Sequence, residues 1–600
     1  MSISVVMVSY HTGSVLFTAI ASVLQQEDLA ELVLIDNGNP PDVFARVQQM
    51  SLVDPRLKII SGHGNIGFAA GCNKGARATT GEYITLLNPD CILPPQALKT
   101  LVEELKKIPD AVIAGPHLVN PDGSEQRGGR RHLLTPMVAL VEALGLSRLG
   151  LRGLNNSGNV MPDETHVVEA ISGACMCMRK SDYEALSGLD EGYFLHVEDL
   201  DVCIRVARAG KRIVCVPKVK VAHLLSTSGS VTSEFIEGHK AKGFVRYFEK
   251  HFADNSFIGV LPLLKAAIWA RYTIKTRVLG RKSKGDAAEL AASRKLMILA
   301  SSLVDQGKQG NLSGKTVLVT GATSQVGVYV VKHLLQMGAA VLAVSREEPL
   351  PFAHPRLKWL KADLTRDDFS LGGFLADATI HCAPQWFLPK VLPLIADAET
   401  KHVVAIGSTS IYSKAASHNA FEKNIVAKHT LAEAEIARLS GVHNMSYTIL
   451  RPTMIYGVGL DQNISSIARF IERFGRFFIY PPAMGRRQPV HAEDIALAAL
   501  QAAYNPQAFN KSYNVSGGEV ISYYNMLVRI FRVLGKEPKI VATSFLPFAF
   551  SLAGVVLHKA HVTGDMAHRM NEDLVFFHHD AAQDFGYNPR KFLSAGKADL

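Results

Sequence analysis

Cysteine is scarce in this chain. The 600 residues carry seven, at Cys72, Cys91, Cys175, Cys177, Cys203, Cys215 and Cys382, an odd number with no C-x-x-C pair. That argues against a disulfide framework and a thiolate metal site, and predicts buried, reduced thiols in a cytosolic protein. Cys175 and Cys177 lie two apart in an apolar run and are expected on one face of a strand. Zinc knuckles, aromatic RNA-binding strands and basic helical arms are missing too. Nucleic acid is therefore the weakest of the acidic partners that a net charge of +10 and a pI of 9.1 would suit, behind nucleotide diphosphates and anionic lipid. No basic segment precedes the first apolar run and no small-residue cleavage site follows it, so no signal peptide is expected. Long uncharged runs are few. Residues 257–270 are interrupted by Lys265 and closed by Arg271. Residues 540–557 are free of charge and reach the lower limit for a span, but Pro547, Thr543, Ser544 and Ser551 interrupt them, which predicts a strand and a buried or lid helix. No repeat period is visible.

What is present is an α/β chain that starts twice. Residues 3–8 (ISVVMV) and residues 315–327 (KTVLVTGATSQVG) each open an alternation of apolar strand and helix, so two nucleotide-binding α/β domains are expected. In the first, strands are predicted at 3–8, 31–35, 57–60, 82–87, 111–114 and 213–216, with helices near 14–25, 41–50, 67–78, 95–106 and 199–209, giving a mainly parallel sheet. The expected domains are 1–255, a basic helical connector over 256–312, and 313–600. Within the connector, 257–284 gathers Lys265, Arg271, Lys275, Arg277, Arg281, Lys282 and Lys284 beside an apolar face. That pattern fits a helix lying on anionic lipid, and equally a helix packed on its own domain with a solvated basic face. Residues 305–314 read as a polar, glycine-rich linker.

Open α/β sheets bind ligands at the carboxyl ends of their strands, so the polar residues there are the candidates. Strand 3–8 ends in Ser9-Tyr10-His11 and strand 31–35 in Asp36-Asn37, a carboxylate and an amide able to read a base or ribose. Strand 82–87 ends in Asn88-Pro89-Asp90, where a lone carboxylate suits a hard divalent cation bridging a diphosphate. Glu198, Asp199 and Asp201 put three carboxylates near a helix N-terminus, favoured there by the dipole, and one of them can take a proton from an attacking hydroxyl. His223 offers a further metal ligand. Singly, each is an ordinary turn or cap; their joint order at strand ends makes the case.

The segments VSYHTG, LIDNGN, GNIGFAAGCNKGARATTGEYITLLNPD, ISGACMCMR and GLDEGYFLHVEDLDVCIRVARAGKRIVCVPKVKVAHLLSTSG resemble the rhamnosyltransferase-type branch of family 2 glycosyltransferases, over about residues 3–250. The resemblance implies a GT-A fold and an inverting displacement from a nucleotide-diphospho-sugar. By it, Asp36 contacts the base, Asp90 is the metal-binding acid of the D-x-D element, and Asp199 is the general base with Glu198 beside it. His223 then sits near the metal, Mn2+ or Mg2+. The family's asparagine-rich opening is replaced by Ser9-Tyr10-His11, which bears on base preference.

In the second domain Gly321-Ala322-Thr323-Ser324-Gln325-Val326-Gly327 follows a strand and opens a helix; Gly321 permits the tight turn and Gly327 close helix–strand packing, with a pyrophosphate at the helix N-terminus. The next strand, 340–344, ends in Ser345-Arg346. An arginine where an NAD site places an acid suits a 2′-phosphate, so NADP is expected over NAD. TVLVTGATSQVG, KADLT, IHCAP, IGSTSIYS, ILRPTMIYG, PVHAEDIALAAL and YNVSGGE make residues 315–600 resemble extended or atypical short-chain dehydrogenase/reductases of the sugar-nucleotide epimerase kind. The resemblance implies that Asp363 and Leu364 flank the adenine, Ala383 the diphosphate, and that Ser408 is the active-site hydroxyl. It departs in two places. The middle glycine of the loop is Ser324. The Tyr-x-x-x-Lys pair, expected just before a helix around 429–438, has Lys428 but Asn424 in place of the phenol, and an amide cannot donate that proton; Tyr412 matches a different tyrosine.

The expected function is an inverting, metal-dependent glycosyltransferase of bacterial cell-surface polysaccharide synthesis. It would use deoxythymidine-diphosphate rhamnose or a uridine-diphosphate sugar and a lipid-linked or oligosaccharide acceptor, and work in the cytoplasm, peripherally at the inner leaflet. The segment 257–284 and Arg127, Arg130 and Arg131 are the expected membrane contacts. The second domain is read as a cofactor- or sugar-nucleotide-binding scaffold or sensor with weak or no redox turnover, the alternative being a fully bifunctional enzyme. A carbohydrate-binding relic is disfavoured by the acids at Asp90 and Asp199.

Overall fold

The computed structural model describes residues 2–13, 15–143, 153–155, 161–224, 233–253, 260–277, 284–303, 312–347, 349–415, 419–457, 459–461, 463–548 and 565–600. The chain divides into two compact units, Met1–Val304 with Leu350–His354, and Asp305–Pro349 with Pro355–Leu600.

The first unit is built on β1 (Ile3–Ser9), β2 (Leu29–Asp36), β3 (Leu57–Ile60), β4 (Tyr83–Leu87), β5 (Cys91–Ile92) and β6 (Ala111–Val119). They are followed by β7 (Arg130–Arg131), β8 (His166–Val168), β9 (Ala170–Ile171), β10 (Cys175–Arg179) and β11 (Arg212–His223). The main sheet runs β3-β2-β1-β4-β10-β6-β11-β5. The β1, β2, β3 and β4 pairings and β6 with β11 are parallel, as the alternation predicts. The departures are β10, which runs antiparallel between β4 and β6, and the short strands β5 and β8, each antiparallel to β11. Every residue of β1 is buried, as expected of a strand covered on both faces. The helix Phe68–Ala78 comes unusually close to β1: a Cβ at Gly71 would lie 2.9 Å from the Val8 methyls, and one at Gly75 would clash with Val6. Cys175 and Cys177 share the core face of β10, and Cys72, Cys91, Cys203 and Cys215 are buried free thiols as well.

Of the connector, the helix Val260–Arg277 lays Leu261, Leu264 and Ile268 against the core of the first unit, and Lys265 pairs with Glu249 at 2.6 Å. Its apolar face therefore serves its own domain. The side chains of Arg271, Lys275, Arg277, Arg281, Lys282 and Lys284 lie outside the described residues, as does 305–311 of the expected linker. A further helix, Lys284–Ala300, and the turn Ser301–Leu303 pack on helix Val15–Leu24 of the same unit.

The second unit is a doubly wound sheet of β12 (Thr316–Thr320), β13 (Ala340–Ser345), β14 (Leu357–Lys361), β15 (Ala378–His381), β16 (His402–Ile406), β17 (Ser446–Pro452) and the strand Lys511–Val515. All are parallel, in the order β14-β13-β12-β15-β16-β17 and then Lys511–Val515. Strand order reverses beside β12, which puts the glycine loop at the switch point. Small paired strands, Phe477–Ile479 with Ile540–Ala542 and Arg486–Arg487 with Ile521–Ser522, cap this unit. The uncharged run 540–557 supplies the strand Ile540–Ala542, and its part from 549 lies outside the described residues. No helix among the described residues is long and apolar enough to cross a membrane.

Candidate functional site

In the first unit the predicted polar residues do gather at the carboxyl ends of β1, β2 and β4. Asp36 Oδ1 accepts from the Asn39 backbone N–H at 3.0 Å and from Asn39 Nδ2 at 2.6 Å. The Asn39 amide also meets the Ser9 hydroxyl, with Nδ2 at 2.9 Å, and Ser9 in turn meets Thr12 at 2.9 Å. Asn39 is thus the node of this corner, and the sequence reading passed over it; the spacing Asp36 to Asn39 inside LIDNGN is the signal that points to it. Asn37 is buried, donates from Nδ2 to the Gly67 carbonyl at 3.1 Å, and leaves Oδ1 without a partner among the described residues. A buried amide oxygen in that state can take an N–H from a ligand. The Tyr10 ring lies beside Gly38, whose Cβ position is 3.6 Å from it.

Asp90 and His223 come together. His223 Nε2 is 3.2 Å from Asp90 Oδ1 and 3.3 Å from Asn88 Nδ2, while Nδ1 lies 2.7 Å from Gln126 Oε1. An acceptor oxygen at Nδ1 places the ring proton there, so Nε2 presents its lone pair towards Asp90. That is the tautomer a metal-binding histidine needs, oriented by an amide behind it. The donor set therefore fits a divalent cation. Cys91 lies within the same cluster, but its thiol donates to the Ala174 carbonyl and burial pushes its ionisation well up, so it offers no thiolate.

Asp199 and Glu198 begin the helix Glu198–Arg208. Asp199 Oδ2 accepts from Arg131 Nη2 at 2.5 Å and from the Gly173 N–H at 3.0 Å, and Oδ1 from the Leu200 N–H at 2.8 Å. Burial acts to raise Asp199, but the Arg131 charge and these donors outweigh it and hold the carboxyl below its usual range. Glu198 goes the other way. It is buried, its Oε2 has no partner among the described residues, and burial together with the Asp199 charge pushes it up to about 8. The turn before it is strained: His196 and the β-branched Val197 have φ of 66° and 75°, conformations that cost about 1–3 kcal/mol each and persist where surroundings enforce them. Gly243 makes room for Val197, whose Cγ2 is 3.0 Å from a Cβ built there.

One short segment ties the two acids together. The Ala174 carbonyl accepts from the Asn88 N–H at 2.8 Å, and the preceding Gly173 N–H donates to Asp199. On the other side the Phe68 N–H donates to the Phe194 carbonyl at 2.7 Å, joining the Asn37–Gly67 corner to the 194–199 turn.

Two expected membrane contacts are corrected. Arg130 is buried and forms a two-bond ion pair with Glu125 at 2.8 and 3.0 Å, and Arg131, its side chain only 12% exposed, is the partner of Asp199. Neither is available to lipid; Arg127 is exposed. Arg131 is instead a site residue that sequence reasoning missed, because its partner lies 68 residues away.

In the second unit Gly321 has φ 69°, and a Cβ there would clash with the backbone of Cys382 and Ala383. Ala383 thus stands against the glycine turn, leaving the close backbone approach that a dinucleotide cradle requires. Thr323 bonds Ser345 at 2.8 Å, and Gln325 Nε2 reaches the Gly457 carbonyl at 3.3 Å. Ser324 Oγ accepts from the Gly327 N–H at 3.0 Å, so a side chain already occupies one amide at this helix start, and Val326 is buried. Arg346 is exposed at the end of β13, near enough to Asp363 to help lower its carboxyl, chiefly held down by the Thr365 N–H. Leu364 belongs to the core, so only its backbone can meet a ligand.

Ser408 Oγ donates to Ser410 Oγ at 2.9 Å. The helix expected around 429–438 spans Ala420–Val442, so Asn424 and Lys428 lie within it. Both are solvent-exposed, and Lys428 Nζ sits 5.6 Å over the Trp386 ring; among the described residues it forms no hydrogen bond to Ser408. The adjacent residue is the one turned inward: His429 is buried, with Nδ1 2.7 Å from Gln385 Oε1, and Gln385 lies 3.1 Å from a Cβ position at Gly407. Tyr412 is exposed and its hydroxyl accepts from Arg451 at 2.7 Å.

Residues 4–185 match the family model described as glycosyl transferase family 2, and residues 317–387 and 389–516 that described as NAD dependent epimerase/dehydratase family. The first unit is similar to N-acetylglucosaminyl-diphospho-decaprenol L-rhamnosyltransferase of Mycobacterium tuberculosis, 25% identical over 268 residues, 41% of this chain and 84% of the relative. It is also similar to rhamnosyltransferase WbbL of Escherichia coli K12, 27% identical over 164 residues, 27% of this chain and 60% of the relative. Among solved structures, MoeE5 in complex with UDP-glucose and NAD aligns with 21% identity and a TM-score of 0.37, covering 47% of this chain and 96% of its own.

Proposed function

Starting from a chain in which a family 2 glycosyl transferase domain is joined to an NAD dependent epimerase/dehydratase domain, we propose the following reaction for the first unit. It moves a sugar, rhamnose foremost, from a nucleotide-diphospho-sugar to a lipid-linked or glycan acceptor, with inversion. The relatives named for rhamnosyl transfer, one of them to a decaprenol-diphosphate sugar, support donor and acceptor. The observation that carries the reading is the coupling of two acids in different surroundings, Asp90 facing His223 and Asp199 held by Arg131, through Gly173 and Ala174. Asp199, kept ionised, accepts the proton of the acceptor hydroxyl as that oxygen attacks the anomeric carbon and the nucleotide diphosphate departs from the opposite face. Asp90 and His223 Nε2 would hold Mn2+ or Mg2+, which when bound neutralises charge on the leaving diphosphate. Asn37 Oδ1 and the Asp36–Asn39 turn receive the base and ribose.

The test is nucleotide diphosphate release from a panel of nucleotide sugars with Mn2+ or Mg2+. Asp90→Ala and Asp199→Asn are each expected to lower turnover by about 100-fold or more. Near-wild-type turnover in either variant removes that residue from the mechanism.

For the second unit we propose a dinucleotide-binding role with weak or no redox turnover and a preference for NADP, in line with exposed Arg346 at the end of β13 and the lack of a phenol at Asn424. Such a scaffold or sensor binds NADPH without product. Oxidation of NADPH with a sugar nucleotide at ordinary enzymatic rates would establish the bifunctional alternative instead.

A further inference from the structure

The small cap of the second unit carries an aromatic face that nothing among the described residues covers. The pair of strands Phe477–Ile479 and Ile540–Ala542 turns Phe477, Ile479 and Ile540 inward to the core. Pleating then sends the partners Phe478 and Val541 outward, and both are exposed, at 36% and 40%. The preceding helix, Ile464–Phe474, extends this face: Phe470 contacts Phe474 at 4.6 Å and Phe478 at 6.4 Å, and Phe474 is half exposed. Beyond the second strand, Phe545 and Phe548 pack ring to ring at 4.9 Å yet stay 63% and 58% exposed.

Charge accompanies the rings. Arg469, Arg473 and Arg476 on the helix and its turn, and Lys539 at the strand entry, are exposed, with Glu472 and Glu537 the acids among them. Arg473 lies 5.1 Å over the Phe474 ring. Exposed clustered phenylalanines mark an interaction surface rather than scatter. Combined with a cationic fringe, they match the interfacial region of a bilayer, where rings enter the headgroup zone and arginines stay with the phosphates. The helix Val260–Arg277, by contrast, uses its apolar side within its own domain.

We propose that this face, centred on Phe474, Phe478, Phe545 and Arg473, docks the protein on an anionic phospholipid bilayer. The docking is independent of sugar transfer, so its failure leaves the transferase reading intact.

The test is vesicle flotation of the full chain without substrates, using phosphatidylcholine vesicles with and without about 30% phosphatidylglycerol. Wild type is expected to float with the anionic vesicles and not with the neutral ones. Phe478→Ser/Phe545→Ser should lose that binding by at least about tenfold. Arg473→Gln/Arg476→Gln, which touches no core residue, should weaken it by roughly thirtyfold. Because the arginine pair is exposed and leaves the core alone, it decides the matter if the phenylalanine variant is unfolded by circular dichroism. Absence of wild-type binding to anionic vesicles overturns the proposal. So does equal binding by wild type and the arginine variant, or a wild-type dimer that the phenylalanine variant converts to monomer, which would make a second copy the occupant.

Discussion

Replacing Arg131 by Met should change the pH dependence of transfer before it changes anything else. Arg131 and Asp199 form an ion pair with side chains only 12% and 13% exposed. An arginine against a largely buried carboxylate lowers its pKa by about 1–3 units, and burial, here the largest opposing influence, is countered only by the Gly173 and Leu200 N–H groups once the guanidinium is gone. Asp199 should then ionise above its ordinary range, and the acid limb of kcat/KM should move up by about 2 units. Transfer by the variant would fall off towards pH 5, where wild type stays on its plateau, and recover by about pH 7. Removing one member of a buried pair also costs about 3–5 kcal/mol. The sign of its pH dependence follows from linkage: a carboxyl depressed in the folded state stabilises above its unfolded pKa and loses that contribution as pH falls through the folded value. The stability gap between wild type and Arg131→Met should therefore narrow in acid. Arg131→Lys, keeping the charge, should retain most of the wild-type profile. The assay is nucleotide diphosphate release from pH 5 to 9 for the three proteins, with urea unfolding in parallel. An unchanged acid limb in Arg131→Met, with turnover lowered evenly at every pH, would refute the positioning role and leave Arg131 a structural residue.

Glu198→Gln should match wild type in stability at about pH 4 and exceed it at pH 9, because the raised carboxyl contributes fully below its unfolded pKa and loses that contribution as pH rises through about 8; coincident urea midpoints at both pH values would contradict this. Gln126→Leu should raise the Mn2+ concentration for half-maximal transfer by about 10–100-fold while leaving turnover at saturating metal nearly intact. Arg346→Ala should weaken NADP binding relative to NAD by about tenfold or more, read by fluorescence titration of both dinucleotides. Ser324→Gly should free the Gly327 N–H and tighten dinucleotide binding, at a stability cost of a few tenths of a kcal/mol.

Local pattern made the parallel strands legible. The expected strands 3–8, 57–60 and 82–87 lie within one residue of those observed at each end; for 3–8 and 82–87 this is because buried strands at the centre of a sheet read as unbroken apolar runs, while 57–60 is a partly buried edge strand. Polar residues at strand ends were equally visible, and Asp36, Asp90 and Asp199 stand where the alternation put them. What local pattern could not supply was pairing across distance. The antiparallel place of β10 between β4 and β6 depends on residues 63 to 96 positions away. Arg130 and Arg131 read as surface charge because burial depends on Glu125 and Asp199, and only the folded chain brings Asp199 near. At Lys428 the difficulty was rotation. A one-residue step along a helix turns the side chain by about 100°, so Lys428 faces solvent while His429 faces Gln385.

The segment Gly173–Ala174 enters β10, a strand clamped on both sides by β4 and β6. Because it bonds to the Asn88 loop with one residue and to Asp199 with the other, it acts as a gauge block that sets the spacing between the two acids. The loops that recognise a sugar or an acceptor can lengthen, shorten or exchange residues around it without altering the gap that a glycosyl group must cross. Under the proposed mechanism, substrate range would thus be free to drift while the stereochemical outcome stays fixed.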